Sequence, residues 1–333
     1  MIFHADGTSV RGLKLTKIAV TSRSFARNAT LREELLALYP DVTFVEETQK
    51  LKGDQLIDFL SGHDRAITAL DILDKALFER LPELKVVSKY GVGVDSIDLD
   101  AMAAAGVRLG WSGGHNKRSV SELVISMAIQ LLRHLPKATA AMIEGKSGSG
   151  RQHVGRQLSG RTVGIIGCGY VGKDLAILLR AMGCEVLAND IKDLADFYDA
   201  HGIKAVGLDE LIQRADIVTL HVPHNETTDN LMSAERLSLM RPDAILINCA
   251  RGGLVDEQAL KTMLMDGRLA GAALDVFNKK KPDDEALLSL PNFIPTPHLG
   301  GSAIEAIMAM GRAAIRGLED NQLPERGVFP DNY

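Results

Sequence analysis

Cysteine is scarce: three residues in 333, Cys168, Cys184 and Cys249, none in a CxxC pair or at metal-ligand spacing. That excludes a disulfide scaffold and the usual zinc modules. It suits small buried thiols in a reducing cytoplasm. Long apolar runs are also missing. The most apolar helical stretch, 123–135, is interrupted by Ser126, Gln130, Arg133 and His134, too short and too polar to span a bilayer. Residues 1–15 lack the apolar core of a signal peptide, so no secretory leader is expected. Excess positive charge is absent too. The net charge is −5, and no global field draws in nucleic acid or an anionic membrane. The basic cluster Lys279-Lys280-Lys281 is too short to imply either partner. There is no low-complexity segment and no short-period repeat. What remains is an ordinary globular composition, 46% hydrophobic and 24% charged, at a length suited to two domains.

The organising stretch is Val163-Gly164-Ile165-Ile166-Gly167-Cys168-Gly169-Tyr170-Val171-Gly172. A β-branched run leads into glycines at G-x-G-x-x-G spacing, and an amphipathic segment follows. This strand–turn–helix context is what a dinucleotide fingerprint requires. Gly167 permits the tight turn, Gly169 lets a pyrophosphate approach the backbone, and Gly172 lets the helix pack on the strand. The helix N-terminus then offers free N–H groups to the phosphates. A second strand over 184–190 ends at Asp190, where a carboxylate binds the adenosine ribose and disfavours a 2′-phosphate. NAD is therefore the expected cofactor.

Along the chain, short apolar strands near 17–21, 42–45, 66–70, 84–88 and 107–109 alternate with helices near 31–38, 54–60, 74–81 and 101–105. A breaker-rich crossing, 111–114, precedes one long helix expected over 119–144, N-capped by Ser119 and kinked or interrupted at Pro136. After the fingerprint come strands near 216–222, 244–248, 270–274 and 293–294. A last helix, 302–318, returns to the first domain. The fold expected is α/β with two doubly wound parallel-sheet domains. An NAD-binding Rossmann domain, 113–302, is inserted in a flavodoxin-like substrate domain, 1–112 with 303–333.

Two strand ends carry candidate chemistry. Asn248-Cys249-Ala250-Arg251-Gly252-Gly253 delivers a guanidinium into a glycine-flanked loop, where it can grip a carboxylate with two parallel bonds. Thr296-Pro297-His298-Leu299-Gly300-Gly301 presents an imidazole suited to proton exchange near neutral pH. His221 and His224, flanking Pro223, are rival histidines.

These motifs, with Lys89-Tyr90-Gly91-Val92-Gly93-Val94-Asp95 and Gly271-Ala272-Ala273-Leu274-Asp275-Val276-Phe277, resemble the NAD-dependent D-2-hydroxyacid dehydrogenase family, and are similar to its phosphoglycerate dehydrogenase branch. The resemblance spans nearly the whole chain. It implies that Arg251 binds the substrate carboxylate and polarises the 2-oxo group, while His298 exchanges a proton with that oxygen. Backbone at Val92 and Gly93 would hold the carboxylate. Gly167, Gly169, Tyr170, Val171 and Gly172 would line the pyrophosphate, Asp190 the ribose, and Cys249, Asp275 and Gly300 the nicotinamide half. A homodimer is implied, paired through the 119–144 helix and the following loop.

Two departures stand out. The family pairs the histidine with a glutamate shortly after the Asp-Val-Phe run. Here that position falls on Lys280, or on Lys281 if counted back from Pro282. An ammonium there disfavours the imidazolium, so His298 is expected to serve more readily as a base than as an acid. A shifted loop could instead bring Asp283, Asp284 or Glu285 to the histidine. The loop after the third strand, near 67–71, lacks the arginine common in phosphoglycerate enzymes; Arg23 and Arg27 are alternative phosphate contacts. The rival class is a non-catalytic, NAD-sensing interaction protein on the same scaffold. The missing glutamate supports it; Arg251 and His298 oppose it.

Overall fold

Fully buried runs such as Ile18–Val20, Ile217–Leu220 and Ile245–Asn248 form the strands, and each pairs in parallel with its neighbours. Parallel strands need covering on both faces, hence near-continuous apolar sequence rather than alternation. The computed structural model describes residues 16–46, 50–146, 150–279 and 282–325. It divides into two compact units, Met1–His115 with Ile307–Tyr333, and Asn116–Ala306.

The first unit contains β1 (Ile18–Val20), α1 (Arg23–Ala26), α2 (Ala29–Leu36), β2 (Val42–Phe44), α3 (Asp54–Leu60), β3 (Arg65–Thr68), α4 (Lys75–Arg80), β4 (Val86–Lys89), α5 (Leu99–Ala104) and β5 (Arg108–Gly110). Its sheet order, β2-β1-β3-β4-β5, is the flavodoxin-type doubly wound order. Asn28, Asp74 and Asp98 accept N–H bonds at the starts of α2, α4 and α5, the side-chain capping that fixes where a helix begins.

The second unit begins with α6 (Lys117–Leu132), α7 (Leu135–Ile143), β6 (Thr162–Ile166), α8 (Tyr170–Ala181), β7 (Glu185–Asn189), α9 (Ala195–His201) and β8 (Lys204–Ala205). It continues with α10 (Leu208–Arg214), β9 (Ile217–Leu220), α11 (Ala234–Ser238), β10 (Ile245–Asn248), α12 (Glu257–Met265), β11 (Gly271–Leu274), α13 (Glu285–Leu288) and β12 (Phe293–Pro295). The sheet order is β12-β11-β10-β9-β6-β7-β8. Renumbered from β6, this is the Rossmann order 3-2-1-4-5-6 with a seventh strand added at one edge. Two buried clusters pack here, one including Val124, Ile165 and Ile247, the other Val218, Leu246 and Leu260.

A last helix, α14 (Ile304–Gly317), contributes its residues from Ile307 onward to the first unit. There Ser88 Oγ donates to the Ala314 carbonyl at 2.6 Å, and Arg312 grips Glu34. A Cβ added at Gly311 would run into Leu31 of α2, so the glycine permits close helix contact.

One element differs from the sequence expectation. The single helix over 119–144 is two helices, separated at His134, whose φ is 53°. Of the two outcomes expected at Pro136, the helix is interrupted there rather than kinked. The proline lies in the first turn of α7, where its missing N–H removes no intrahelical bond. Nor is Ser119 the cap. Asn116 occupies that position without a side-chain bond, and Ser119 Oγ donates instead to the Gly300 carbonyl at 2.7 Å. The short elements α1 and β8, of four and two residues, carry no periodicity that a sequence pattern could show. Among the described residues no helix is long and apolar enough to cross a membrane.

Candidate active site

Parallel strands place all their C-terminal ends at one edge of a sheet. In the second unit that edge carries almost every candidate residue. Read across the sheet order, His298 follows β12, Asp275 follows β11, and Cys249 and Arg251 follow β10. His221 then follows β9, Gly167 follows β6, and Asp190 follows β7. Residues scattered over 130 positions become one ordered row, outside the carboxyl ends where α/β sheets bind ligands.

The nucleotide end is built as a cradle. Gly167 has φ 92°, and a Cβ there would meet the His221 carbonyl carbon and Val222 Cγ1 at 2.7 Å. At Gly172 an added Cβ would press into the Gly167 carbonyl oxygen. Gly169 has open space around its missing Cβ, and α8 starts there without a side-chain cap. The first N–H groups of this twelve-residue helix are therefore available to an anion. Tyr170 is exposed, Val171 half-buried. Asp190 accepts from Cys168 N at 2.5 Å through Oδ2 and from Lys192 N at 2.9 Å through Oδ1. A carboxylate can accept about four bonds, so capacity remains for a diol. These residues fit a dinucleotide.

At β10, buried Asn248 shapes the turn. Its Oδ1 accepts from Ala250 N at 3.0 Å and its Nδ2 donates to the Arg251 carbonyl at 2.8 Å. Half-buried Arg251 donates through Nη1 to the Ala250 carbonyl at 2.9 Å. Cys249 is buried, with its Sγ 3.7 Å from Met127 Sδ, and burial pushes the thiol pKa up. Its thiol belongs to the core against α6. Gly252 and Gly253 allow close packing: a Cβ at Gly252 would strike the Phe277 carbonyl, and one at Gly253 the His224 ring. Sequence reading gave Asn248 no role. An amide closing the apolar run Ile245-Leu246-Ile247 shortly before a glycine loop was the signal.

The histidines separate by environment. The His221 ring approaches Thr219 Oγ1 at 3.0 Å, and burial pulls its pKa down to about 3, leaving it neutral. His224 pairs with Asp229 at 2.8 Å. The His298 side chain is exposed, on a backbone at φ 60°. Lys280, proposed beside it, and Lys281 lie outside the described residues. Asp283 bonds Lys279 at 2.7 Å, and Asp284 caps α13 and bonds Lys261. Asp275, expected near the nicotinamide, is almost wholly buried. A cavity of about 730 Å³ is lined by His224, Glu257, Phe277 and Asp284 among others, but by neither Arg251 nor His298.

In the first unit, Val92 and Gly93 lie in a half-buried turn, and the single tryptophan, Trp111, donates to the Val92 carbonyl at 3.0 Å. Arg23 and Arg27 are exposed beyond β1. The loop after β3 is pinned by Asp71, which accepts from Thr21 Oγ1 at 2.6 Å, and Lys89 donates to the Ala69 carbonyl. Among the described residues, no group of three His, Cys, Asp or Glu is placed to hold a metal ion.

Residues 125–300, just over half of the chain, match the family model described as D-isomer specific 2-hydroxyacid dehydrogenase, NAD binding domain. The D-3-phosphoglycerate dehydrogenase of Methanocaldococcus jannaschii is 34% identical over 283 residues, covering 84% of this chain and 54% of that protein. The chain spans about half the length of the curated relatives it matches. Among solved structures, the D-lactate dehydrogenase of Aquifex aeolicus, complexed with NAD and lactic acid, is similar with a TM-score of 0.79 at 25% identity. The alignment covers 91% of this chain and 94% of that one. An acyclic imino acid reductase in complex with NADPH and D-Arg is similar with a TM-score of 0.83 at 25% identity, covering 91% and 96%.

Proposed function

Because this chain belongs to the D-isomer specific 2-hydroxyacid dehydrogenase family, we propose that it is an NAD-dependent oxidoreductase interconverting a D-2-hydroxy acid and its 2-oxo acid. The observation that carries this reading is the ordered row along one sheet edge, from His298 through Arg251 to Gly167 and Asp190. Bound NAD would supply or accept the hydride. The protein then has three tasks. Gly167, Gly169, Tyr170, Val171 and Gly172 hold the pyrophosphate, and Asp190 selects the unphosphorylated ribose. Cys249, Asp275 and Gly300 serve the nicotinamide half. Arg251 binds the substrate carboxylate and polarises the 2-oxo oxygen; a guanidinium suits that task because its paired N–H groups match a carboxylate. His298 gives that oxygen a proton in reduction and takes it back in oxidation. Val92 and Gly93 are assigned to the carboxylate on family resemblance, as is a phosphoglycerate-like substrate.

The chain is further proposed to be cytoplasmic and homodimeric. The first rests on three free, buried cysteines. The second rests on α7, none of whose residues is buried in its own chain, with Met142 64% and Ile143 82% exposed.

The decisive experiment measures NADH turnover on phosphohydroxypyruvate, hydroxypyruvate, glyoxylate and longer 2-oxo acids, in both directions. Turnover of at least one is expected. Arg251→Gln should lower kcat/KM about 100-fold, the order lost when a charge-paired contact goes. NADH binding without turnover on any acid would favour the NAD-sensing alternative. Trp111 offers a second signal: its bond to Val92 should make its fluorescence respond to a bound oxo acid.

A further inference from the structure

We infer that Leu70 and Ile72, in the loop after β3, form the seat for the substrate's side chain, and that this side chain is an unphosphorylated aliphatic tail. The inference rests on the dehydrogenase reading above. It replaces the phosphoglycerate-like substrate given there on resemblance. Side chains 70–73 alternate in burial with the usual polarity reversed. Asp71 is 4% exposed and Leu73 0%, while Leu70 is 67% and Ile72 63% exposed. A carboxylate is almost never buried unless it is paired, and an exposed leucine alone means little. Here the inward turn of Asp71 and the outward turn of its two aliphatic neighbours belong to one loop.

The loop is pinned at both ends. Asp71 Oδ2 accepts from Thr21 Oγ1 at 2.6 Å and from Ala69 N at 3.2 Å. Those bonds offset the cost of burying the carboxylate. Leu73 bridges to Ile97: its N–H donates to the Ser96 carbonyl and its own carbonyl accepts from Asp98 N, both at 2.9 Å. Exchanging the inward and outward faces would strand the Asp71 carboxylate and break the bridge. The exposed pair is thus fixed by the loop that carries it, an apolar surface organised before any ligand arrives.

Its place in the sheet names the occupant. Thr68 of β3 lies opposite Lys89 of β4, and Tyr90 N donates to the Thr68 carbonyl at 2.8 Å. The loop after β3 and the Val92-Gly93 turn after β4 therefore leave the same sheet edge side by side. Open α/β sheets bind ligands outside that edge. With the carboxylate assigned to the turn, the tail of the same acid falls to the neighbouring loop. Charge decides what kind of tail. Residues 66–74 include no lysine or arginine, only Asp71 and Asp74. Lys89 is 4% exposed and donates to the Ala69 carbonyl. Arg23 and Arg27 follow β1, on the other side of β3 from β4. A phosphate calls for charged or N–H donors; the loop offers aliphatic carbon. Two side chains are also too few for a protein interface, which takes about 20 residues a side.

A homologous series tests the seat: pyruvate, 2-oxobutyrate, 2-oxopentanoate and 2-oxohexanoate, with phosphohydroxypyruvate beside them. With NADH, kcat/KM is measured for each. Calorimetry gives the Kd of each on the NAD-loaded protein, where no hydride is available to the oxo acid. Each added methylene should raise kcat/KM and lower Kd about fourfold, the gain from burying one CH₂. Phosphohydroxypyruvate should fall well below 2-oxopentanoate by both measures. In the double variant Leu70→Ser, Ile72→Ser, the preference for 2-oxohexanoate over pyruvate should shrink about tenfold. Leu70→Arg, a single exposed change, should move the preference toward phosphohydroxypyruvate by a similar factor. A flat series, or a wild type that prefers the phosphorylated acid, overturns the apolar seat. A steep series that both variants leave unchanged overturns its assignment to Leu70 and Ile72. Length-dependent Kd values without turnover of any acid defeat the dehydrogenase reading and keep the seat. Failure of every acid to bind overturns the seat as well.

Discussion

Where the family places a glutamate beside its histidine, the sequence here offers lysine at 280 or 281. A carboxylate would stabilise the imidazolium; an ammonium opposes it. A lysine placed beside the histidine would therefore favour the base that alcohol oxidation needs. Lys280→Glu should therefore move the acid limb of kcat/KM against pH, measured for hydroxy-acid oxidation, toward higher pH. A profile that does not move removes Lys280 from the site. Asp283 and Asp284, two of the three acids near this loop, are engaged elsewhere: the lysines they bond hold both carboxyls below their ordinary range, Asp284 to about 2. Neither is thereby a proton store near neutral pH. Glu257, half-buried with Asp284 and Asp283 nearby, has its carboxyl pKa raised by burial, and it accepts from Asn278 N at 2.7 Å.

Among the elements, the β6–α8–β7 unit leaves little room for an added side chain. The start of α8 approaches β6 closely because Gly172 has no side chain. A Cβ there would press on the Gly167 carbonyl and lie 3.3 Å from Ile165 Cγ2. Backbone cannot yield as a flexible side chain can, so Gly172→Ala should cost about 1–3 kcal/mol of stability, the usual penalty for overpacking. It should also weaken NADH at least tenfold, because the same shift moves the phosphate-binding amides. Thermal melts and a fluorescence titration with NADH check both. An alanine variant with wild-type melting and affinity would show that the glycine is dispensable.

At the scale of the whole molecule, α7 stands out. Its Leu135, Met142 and Ile143 are exposed. Exposed apolar residues gathered on one segment mark an association surface more often than an accident. The double variant Met142→Glu, Ile143→Glu should therefore sediment as the 36.0 kDa monomer, with the wild type at twice that mass. A wild type that sediments as a monomer ends the proposal. A C2 dimer would bury this face once on each copy.

Sequence by itself determined the parts whose signals are local. Glycine spacing, β-branched runs and terminal acids give the β6–α8–β7 unit and Asp190, because neighbours along the chain settle those conformations. Alternation of strands and helices gives two parallel sheets. Tertiary structure alone decided the rest. Pro136 starting a helix rather than bending one depends on the left-handed turn at His134. The row along the sheet edge depends on strand order, which no local pattern encodes. Ser119 reads as a helix cap until the chain folds its hydroxyl onto Gly300. The carboxylate of Asp275 is bonded by donors 21 to 25 residues away. A hydrogen bond between distant segments exists only once packing has brought them together, and that physical fact separates the two kinds of knowledge.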